Sequence, residues 1–367
     1  MTKQELERYA AAVPSADRAA MAAAEKRQAQ LAKPPGSLGR LEEIAVRLAG
    51  ITGQVRNRAE RCRIIVFAAD NGVVCEGISS APQSVTLSQA VNMTRGITGM
   101  SAMARYFGAS VQVVDVGIAS AETPDGVLPR KIRRGTQNLA KAPAMTRDEV
   151  LRAISVGIEQ AERAKADGIQ VVGLGEMGIG NTTTSAAVLA ALTDAPAQTV
   201  TGRGGGLTDA AFTRKVQVVR EALALHRPDR NDVADVLAKV GGLDLAAMTG
   251  AYLGCAANRI PVVADGFISV VAALCAVRLC PQVRDFLFLS HASYERGYRI
   301  AAEELGLRPY LLLEMRLGEG SGCPLLFQVM KAACAAMNGM ATFSEAAIND
   351  GYLDEIRETD AFSVKTP

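Results

Sequence analysis

The spacing of apolar positions changes near residue 60, and the change separates two kinds of element. Before it, Leu41, Ile44, Ala45 and Leu48 recur at the spacing of one helix face, and Lys33-Pro34-Pro35-Gly36 divides them from an Ala-rich helical segment upstream. Residues 1–58 therefore read as an appended helical piece. From Arg63 onward, short runs rich in Val, Ile and Phe alternate with longer helical patterns, the order that βαβ units and a parallel sheet produce. The runs are 64–69, 111–116, 169–172, 260–264, 286–289 and 310–313, each short enough for a strand buried on both faces. The expectation is an α/β core with a parallel sheet of about six strands.

The ends of these runs carry the polar chemistry. They are Asp70-Asn71-Gly72, Asp115-Val116-Gly117, Gly173-Leu174-Gly175-Glu176, Asp265-Gly266, Ser290-His291-Ala292-Ser293 and Arg316-Leu317-Gly318-Glu319-Gly320. Gly and Asp are good turn formers, which accounts for any single exit. In open α/β sheets the ligand binds outside the carboxyl ends of the strands, so the set together outlines the rim of one site.

Composition narrows what the site holds. Lys and Arg number 40 against 38 Asp and Glu, so no global field exists to hold nucleic acid. Trp is absent and aromatics are 4% of the chain, which argues against stacking platforms for single strands. Seven cysteines, an odd number without a C-x-x-C pair, read as reduced cytosolic thiols. With two histidines, His226 and His291, and no carboxylate-rich ligand cluster, no metal and no other cofactor is expected. The start, Met1-Thr2-Lys3-Gln4-Glu5, is polar and lacks a secretion signal, and the most apolar stretch, 267–277, is stopped by Arg278. A soluble cytoplasmic protein with a small ligand is expected.

Gly178-Ile179-Gly180-Asn181-Thr182 closes a glycine-rich segment that begins at Gly173, follows a strand and opens a helix, the setting in which backbone amides meet an anion. Gly173-x-Gly175-x-x-Gly178 matches a dinucleotide fingerprint, but Asp194 sits in a Thr-Asp-Ala-Pro turn rather than at a strand end. Gly175-x-x-x-x-Gly180-Asn181-Thr182 mimics a Walker A loop with Asn in place of its lysine. A monophosphate cradle is the reading that survives both, with Thr182 or Asn181 capping the helix. Gly202-Arg203-Gly204 with Lys215 adds fixed cations suited to a phosphate monoester; a solvated Arg on a surface loop is the alternative. Ser290-His291 does not make a triad, and His291 reads as a hydrogen-bonded core histidine. Glu319, a carboxylate between glycines at the last exit, is the candidate general base, its pKa raised by an apolar cleft.

Taken in order, Lys33-Pro34-Pro35-Gly36-Ser37-Leu38-Gly39, Ala69-Asp70-Asn71-Gly72-Val73, Glu76-Gly77-Ile78-Ser79 with Val85-Thr86, Gly178 to Thr183, Thr201-Gly202-Arg203-Gly204, Ser290-His291-x-Ser293 and Arg316-Leu317-Gly318-Glu319-Gly320 resemble the nicotinate-nucleotide:dimethylbenzimidazole phosphoribosyltransferases of cobamide assembly. The resemblance spans nearly the whole chain. It implies a Rossmann-like three-layer large domain at 59–330, a small helical domain built from 1–58 and 331–367, and a homodimer. It also implies transfer of the 5-phosphoribosyl group of nicotinate mononucleotide to a benzimidazole-type base, giving an α-ribotide and nicotinate. Glu319 is then the general base and Glu176 a second acid. The 178–182 loop, Gly202, Arg203 and Lys215 hold the phosphate and ribose, while Ser80, Gln89, Ser293 and Leu317 line the base pocket.

The chain departs from the family pattern at Asn71, where many members have His, at Arg296, where Pro is common, and at Cys323-Pro324. The last is expected beside the base pocket, which leaves the acceptor open. Two other classes compete: a nicotinamide-dependent oxidoreductase, suited by the first glycine motif, and a non-catalytic nucleotide-binding partner subunit, for which Glu319 has no use.

Overall fold

Five of the six apolar runs become strands of one parallel sheet in the computed structural model of the protein, which describes residues 1–359. The strands are β1 (Cys62–Ala69), β2 (Ser110–Gly117), β3 (Leu128–Pro129), β4 (Val171–Met177), β5 (Val262–Ala264) and β6 (Leu287–Leu289). They pair in the order β3-β2-β1-β4-β5-β6, parallel at every step. The chain thus starts in mid-sheet, winds to one edge, and returns to wind to the other. The reversal between β1 and β4 is the switch point at which a Rossmann-like sheet opens a crevice at its carboxyl ends. Ile64, Ile65, Val66 and Phe67 of β1 are fully buried, which is why this strand reads as a continuous apolar run rather than an alternating one.

The sixth strand is not the expected one. Residues 310–313 supply only a bridge from Leu311 to His291, and the side chains of Leu312 and Leu313 are exposed. An apolar run exposed on the surface has the composition of a buried strand without its burial. β3 is a two-residue edge strand ending in Pro129, too short to leave an apolar run in the sequence; proline is tolerated there because an edge leaves its missing N–H unneeded. β4 begins later than expected and continues through Gly173, Gly175 and Glu176, which therefore lie inside the sheet rather than after it. A Cβ on Gly175 would stand 2.4 Å from the carbonyl oxygen of Glu319, so glycine here admits the 319 backbone onto the strand.

The chain falls into two compact units, Met1–Pro14 with Arg61–Leu326, and Ser15–Glu60 with the chain from Phe327 onward. The sheet belongs to the first. So does the helix Lys3–Ala11, whose Leu6 is buried and whose Ala10 carbonyl accepts a hydrogen bond from Cys280 Sγ at 3.3 Å. In the second unit the helices Arg18–Gln30 and Arg40–Thr52 pack through Ala20, Ala24, Ala45 and Ala49 together with Met337. The Lys33-Pro34-Pro35-Gly36 break between them is held by Glu42, whose Oε1 accepts from buried Lys33 Nζ at 2.7 Å and from Leu38 N–H at 2.9 Å. No helix among the described residues is long and apolar enough to cross a membrane.

Candidate active site

A cavity of about 260 Å³ opens at the carboxyl ends of β1, β4 and β5. Its walls come from the segment after β1 (Ile78, Ser80, Val85, Gln89), from the end of β4 and its loop (Glu176 to Thr182), from Asp265 to Ser269, and from Arg316 to Glu319. Apolar Ile78, Val85, Phe267, Ile268 and Leu317 share the lining with polar groups of both signs, among them the acids Glu176, Asp265, Glu295 and Glu319 and the cations Arg203, Lys215 and Arg316.

Glu319 is 6% exposed and holds φ at 64°, a left-handed conformation unusual for a side chain of its size. Its Oε1 accepts from Gln89 Nε2 at 3.1 Å, while Oε2 is buried with no hydrogen-bond partner among the described residues. Burial, with a smaller push from the Asp265 charge, raises its pKa, and the Gln89 amide and the nearby Thr98 hydroxyl oppose the rise. Glu176, also buried, uses both oxygens: Oε1 accepts from Glu319 N–H at 3.1 Å and Oε2 from Asn181 Nδ2. Burial first, and the neighbouring Asp244 charge second, push its pKa up to about 8. Asn181 Nδ2 donates also to Asp244 Oδ2 at 3.1 Å, and Asp244, fully buried, is raised by that burial to about 6. The like charge that raises Glu319 is thus Asp265, not Glu176 as two nearby glutamates would suggest; Glu176 instead accepts from the Glu319 backbone.

The same lining carries cations, Lys215 and Arg203 among them. Lys215, 1% exposed on the helix Asp209–His226, donates from Nζ to Thr182 Oγ1 at 2.7 Å. Burial lowers its pKa to about 8, with Glu295 pulling the other way. The helix Asn181–Thr193 begins here with Gly180 at φ 93° as its cap, so neither Asn181 nor Thr182 caps it. Gly178 is needed for close packing: a Cβ would lie 2.3 Å from the Ala69 carbonyl of β1, across the switch point. Ile179 N–H is taken by Thr86 Oγ1 at 3.1 Å.

Of the residues singled out in the sequence, Glu176, Gly178, Ile179, Gly180, Asn181, Thr182, Arg203, Lys215, Ser80, Gln89, Ser293, Leu317 and Glu319 all line this one cavity. Gly202 does not; its Cα lies against the Glu295 carboxylate, where a Cβ would overlap Oε2 at 1.7 Å. Arg203 reaches the rim, half-exposed, donating to the Leu207 carbonyl at 2.7 Å and pairing with Asp209. Cys323 is fully buried, its Sγ near the Leu174 and Val263 carbonyls, and it does not line the cavity. His291 is buried with Nδ1 at 3.0 Å from Ser290 Oγ, a core histidine. Asp244 escaped sequence reading because it follows no strand; its only signal is an acid just inside a helix start after Gly241-Gly242.

A phosphoribosyltransferase family model matches residues 13–348. The chain is 51% identical over 341 residues to a nicotinate-nucleotide–dimethylbenzimidazole phosphoribosyltransferase of Clostridium perfringens, covering 93% of this chain and 94% of that one. It is 49% identical over 333 residues to the protein of the same name from Geobacter sulfurreducens, covering 90% and 94%. Among solved structures, the corresponding protein of Thermus thermophilus superposes with a TM-score of 0.86 at 44% identity, covering 91% of this chain and all of that one (100%).

Proposed function

The chain belongs to the phosphoribosyltransferase family, and we propose that it moves the 5-phosphoribosyl group of nicotinate mononucleotide onto 5,6-dimethylbenzimidazole or a related base. The observation that carries this reading is one cavity lined by a buried lysine and by a buried glutamate with a carboxylate oxygen left over. Lys215, Thr182 and the glycine loop at Gly178 and Gly180 receive the phosphate, whose charge favours the protonated amine. The apolar walls around Leu317, Ile78 and Val85 sandwich the acceptor, with Gln89, Ser80 and Ser293 as polar markers of its edges.

In the reaction, the acceptor nitrogen's lone pair forms a bond to the anomeric carbon on the face opposite the nicotinate. The bond from that carbon to the pyridinium nitrogen breaks, and its electron pair neutralises the ring as nicotinate leaves. The acceptor's ring N–H proton goes to Glu319 Oε2, and the product is an α-ribotide 5′-phosphate. Because the leaving nitrogen is already cationic, the protein's work is alignment and proton removal. Glu319 is suited to the second: its raised pKa lets it hold the proton, and Gln89 keeps it oriented. Glu295 Oε2 is another buried carboxylate oxygen without a partner among the described residues, but it packs against Gly202. Glu176, with both oxygens engaged, serves as the second acid that holds the Glu319 backbone.

We place the enzyme in the cytoplasm as a homodimer, in keeping with its thiols and its family. The test is incubation with nicotinate mononucleotide and a panel of benzimidazoles, purines and phenols, with nicotinate and ribotide quantified. Equal release of nicotinate and formation of ribotide is expected; no turnover with any acceptor would refute the proposal.

A further inference from the structure

Asp265, at the exit of β5, lines the cavity with both carboxylate oxygens engaged by backbone. Oδ2 accepts from Gly320 N–H at 3.0 Å and Oδ1 from Gly322 N–H at 2.6 Å. These amides lie immediately C-terminal to Glu319, in a turn whose three central residues are all left-handed: Gly318 at φ 80°, Glu319 at 64° and Gly320 at 88°. Glycine takes that conformation freely, whereas a glutamate resists it, so the middle residue relaxes unless its surroundings hold it. On its N-terminal side the turn is tied to Glu176, which accepts Glu319 N–H at 3.1 Å. On its C-terminal side the tie is Asp265. The aspartate is anchored in turn: its N–H donates to Ser269 Oγ at 3.2 Å, and its carbonyl accepts from Ser290 Oγ at 3.0 Å. His291 Nδ1 lies 3.7 Å from Oδ1.

We propose that Asp265 is a positioning residue that fixes the 318–322 turn and so aims the Glu319 carboxylate at the acceptor. The proposal rests on Glu319 being the base. Asp265 itself touches no reacting atom, because both its oxygens are committed to the turn.

Asp265→Asn replaces one acceptor by an NH2 group that cannot accept an amide hydrogen. The expected result is a folded protein whose kcat falls ~10- to 100-fold, the worth of one charge-assisted hydrogen bond, with the KM for nicotinate mononucleotide within about threefold of the parent. In a Glu319→Gln background the same substitution should cost less than about threefold more, because its target is already gone. A full multiplicative loss in the double variant overturns the proposal. Should Asp265→Asn not fold, Asp265→Ser, which keeps one acceptor too short to reach both amides, is read by the same cycle. A crystal structure of either variant decides the matter independently of kinetics. Displacement of the 318–322 turn supports positioning, and an unmoved Glu319 at its left-handed φ overturns it. A Glu319→Gln enzyme with parental kcat would sink the base assignment instead, and with it the catalytic part of this inference, while leaving the turn's displacement to report on the structural part.

Discussion

Lys215→Met removes the cation buried at the phosphate end of the cavity while keeping the bulk of its aliphatic stem. A charge-assisted hydrogen bond is worth ~1.5 to 3 kcal/mol, so the Kd for nicotinate mononucleotide should rise roughly ten- to hundredfold with little change for the acceptor. The lysine's depressed pKa makes a second, sharper test. With a pKa of about 8 in the free enzyme, Lys215 is mostly protonated at pH 7 and mostly neutral at pH 9. Only the protonated amine attracts the phosphate, whose own second ionisation is complete below this range. Donor affinity should therefore be near full below pH 7 and fall ~tenfold between pH 7 and pH 9, as the protonated fraction drops from about nine-tenths to about one-tenth. Glu176 titrates in the same window and adds repulsion of the same sign, so the parent curve alone is ambiguous. The variant keeps Glu176, and the difference between the two curves belongs to Lys215. Equilibrium calorimetry on free enzyme measures Kd without the assumption that KM equals it. A variant whose Kd stays within threefold of the parent, or whose pH dependence is undiminished, would remove Lys215 from the donor site.

Glu319→Gln keeps shape and removes the base, so kcat should fall ~100- to 10,000-fold with donor Kd within about threefold; a kcat within threefold of the parent, in single-turnover measurements, makes Glu176 the leading base. Glu176 binds its proton more tightly folded than unfolded, so its contribution to stability is fully present below its ordinary pKa near 4.5 and is lost as pH rises through about 8. Thermal scans should therefore show the parent losing at least ~2 °C more than Glu176→Gln between pH 5.5 and pH 8.5, and coincident slopes would contradict the burial of that charge. Unsubstituted benzimidazole should turn over alongside its 5,6-dimethyl relative, because apolar walls discriminate a methyl by only ~1 to 3 kcal/mol; a preference above ten-thousandfold in kcat/KM would mean that polar contacts set the choice.

The buried strands were legible because a strand covered on both faces must be apolar throughout, and β1, β2, β4, β5 and β6 each leave such a run. The exits were legible for a related reason, since polar and glycine residues directly after a buried strand have few roles besides turning the chain and meeting a ligand. The same signal misled at residues 310–313, where Leu312 and Leu313 are apolar yet exposed, and it was silent at β3, whose two residues pair by backbone alone. The glycine-rich segment shows a subtler limit. Its glycines look alike in sequence, but Gly175 makes room for the Glu319 backbone, Gly178 for Ala69, and Gly180 turns into a helix at φ 93°. A glycine records that something comes close, and only the fold says what.

The division of labour among the acids was the part least open to sequence reading. Glu176, Asp244, Asp265 and Glu319 are all buried, and burial raises the pKa of every one, so desolvation alone cannot rank them. What separates them is where their lone pairs go. Asn181 stands between Glu176 and Asp244 and donates to both. Asp265 is committed to Gly320 and Gly322, and Glu176 gives its other oxygen to the Glu319 backbone. These bonds run across 143, 55 and 57 residues of sequence and involve main-chain donors, which leave no mark on residue identity. Once they are made, Glu319 alone of the four retains a buried oxygen without a partner among the described residues. A buried acceptor left unsatisfied is costly, and a site keeps one where a substrate proton will complete it. The three engaged carboxylates are thus what make the fourth available.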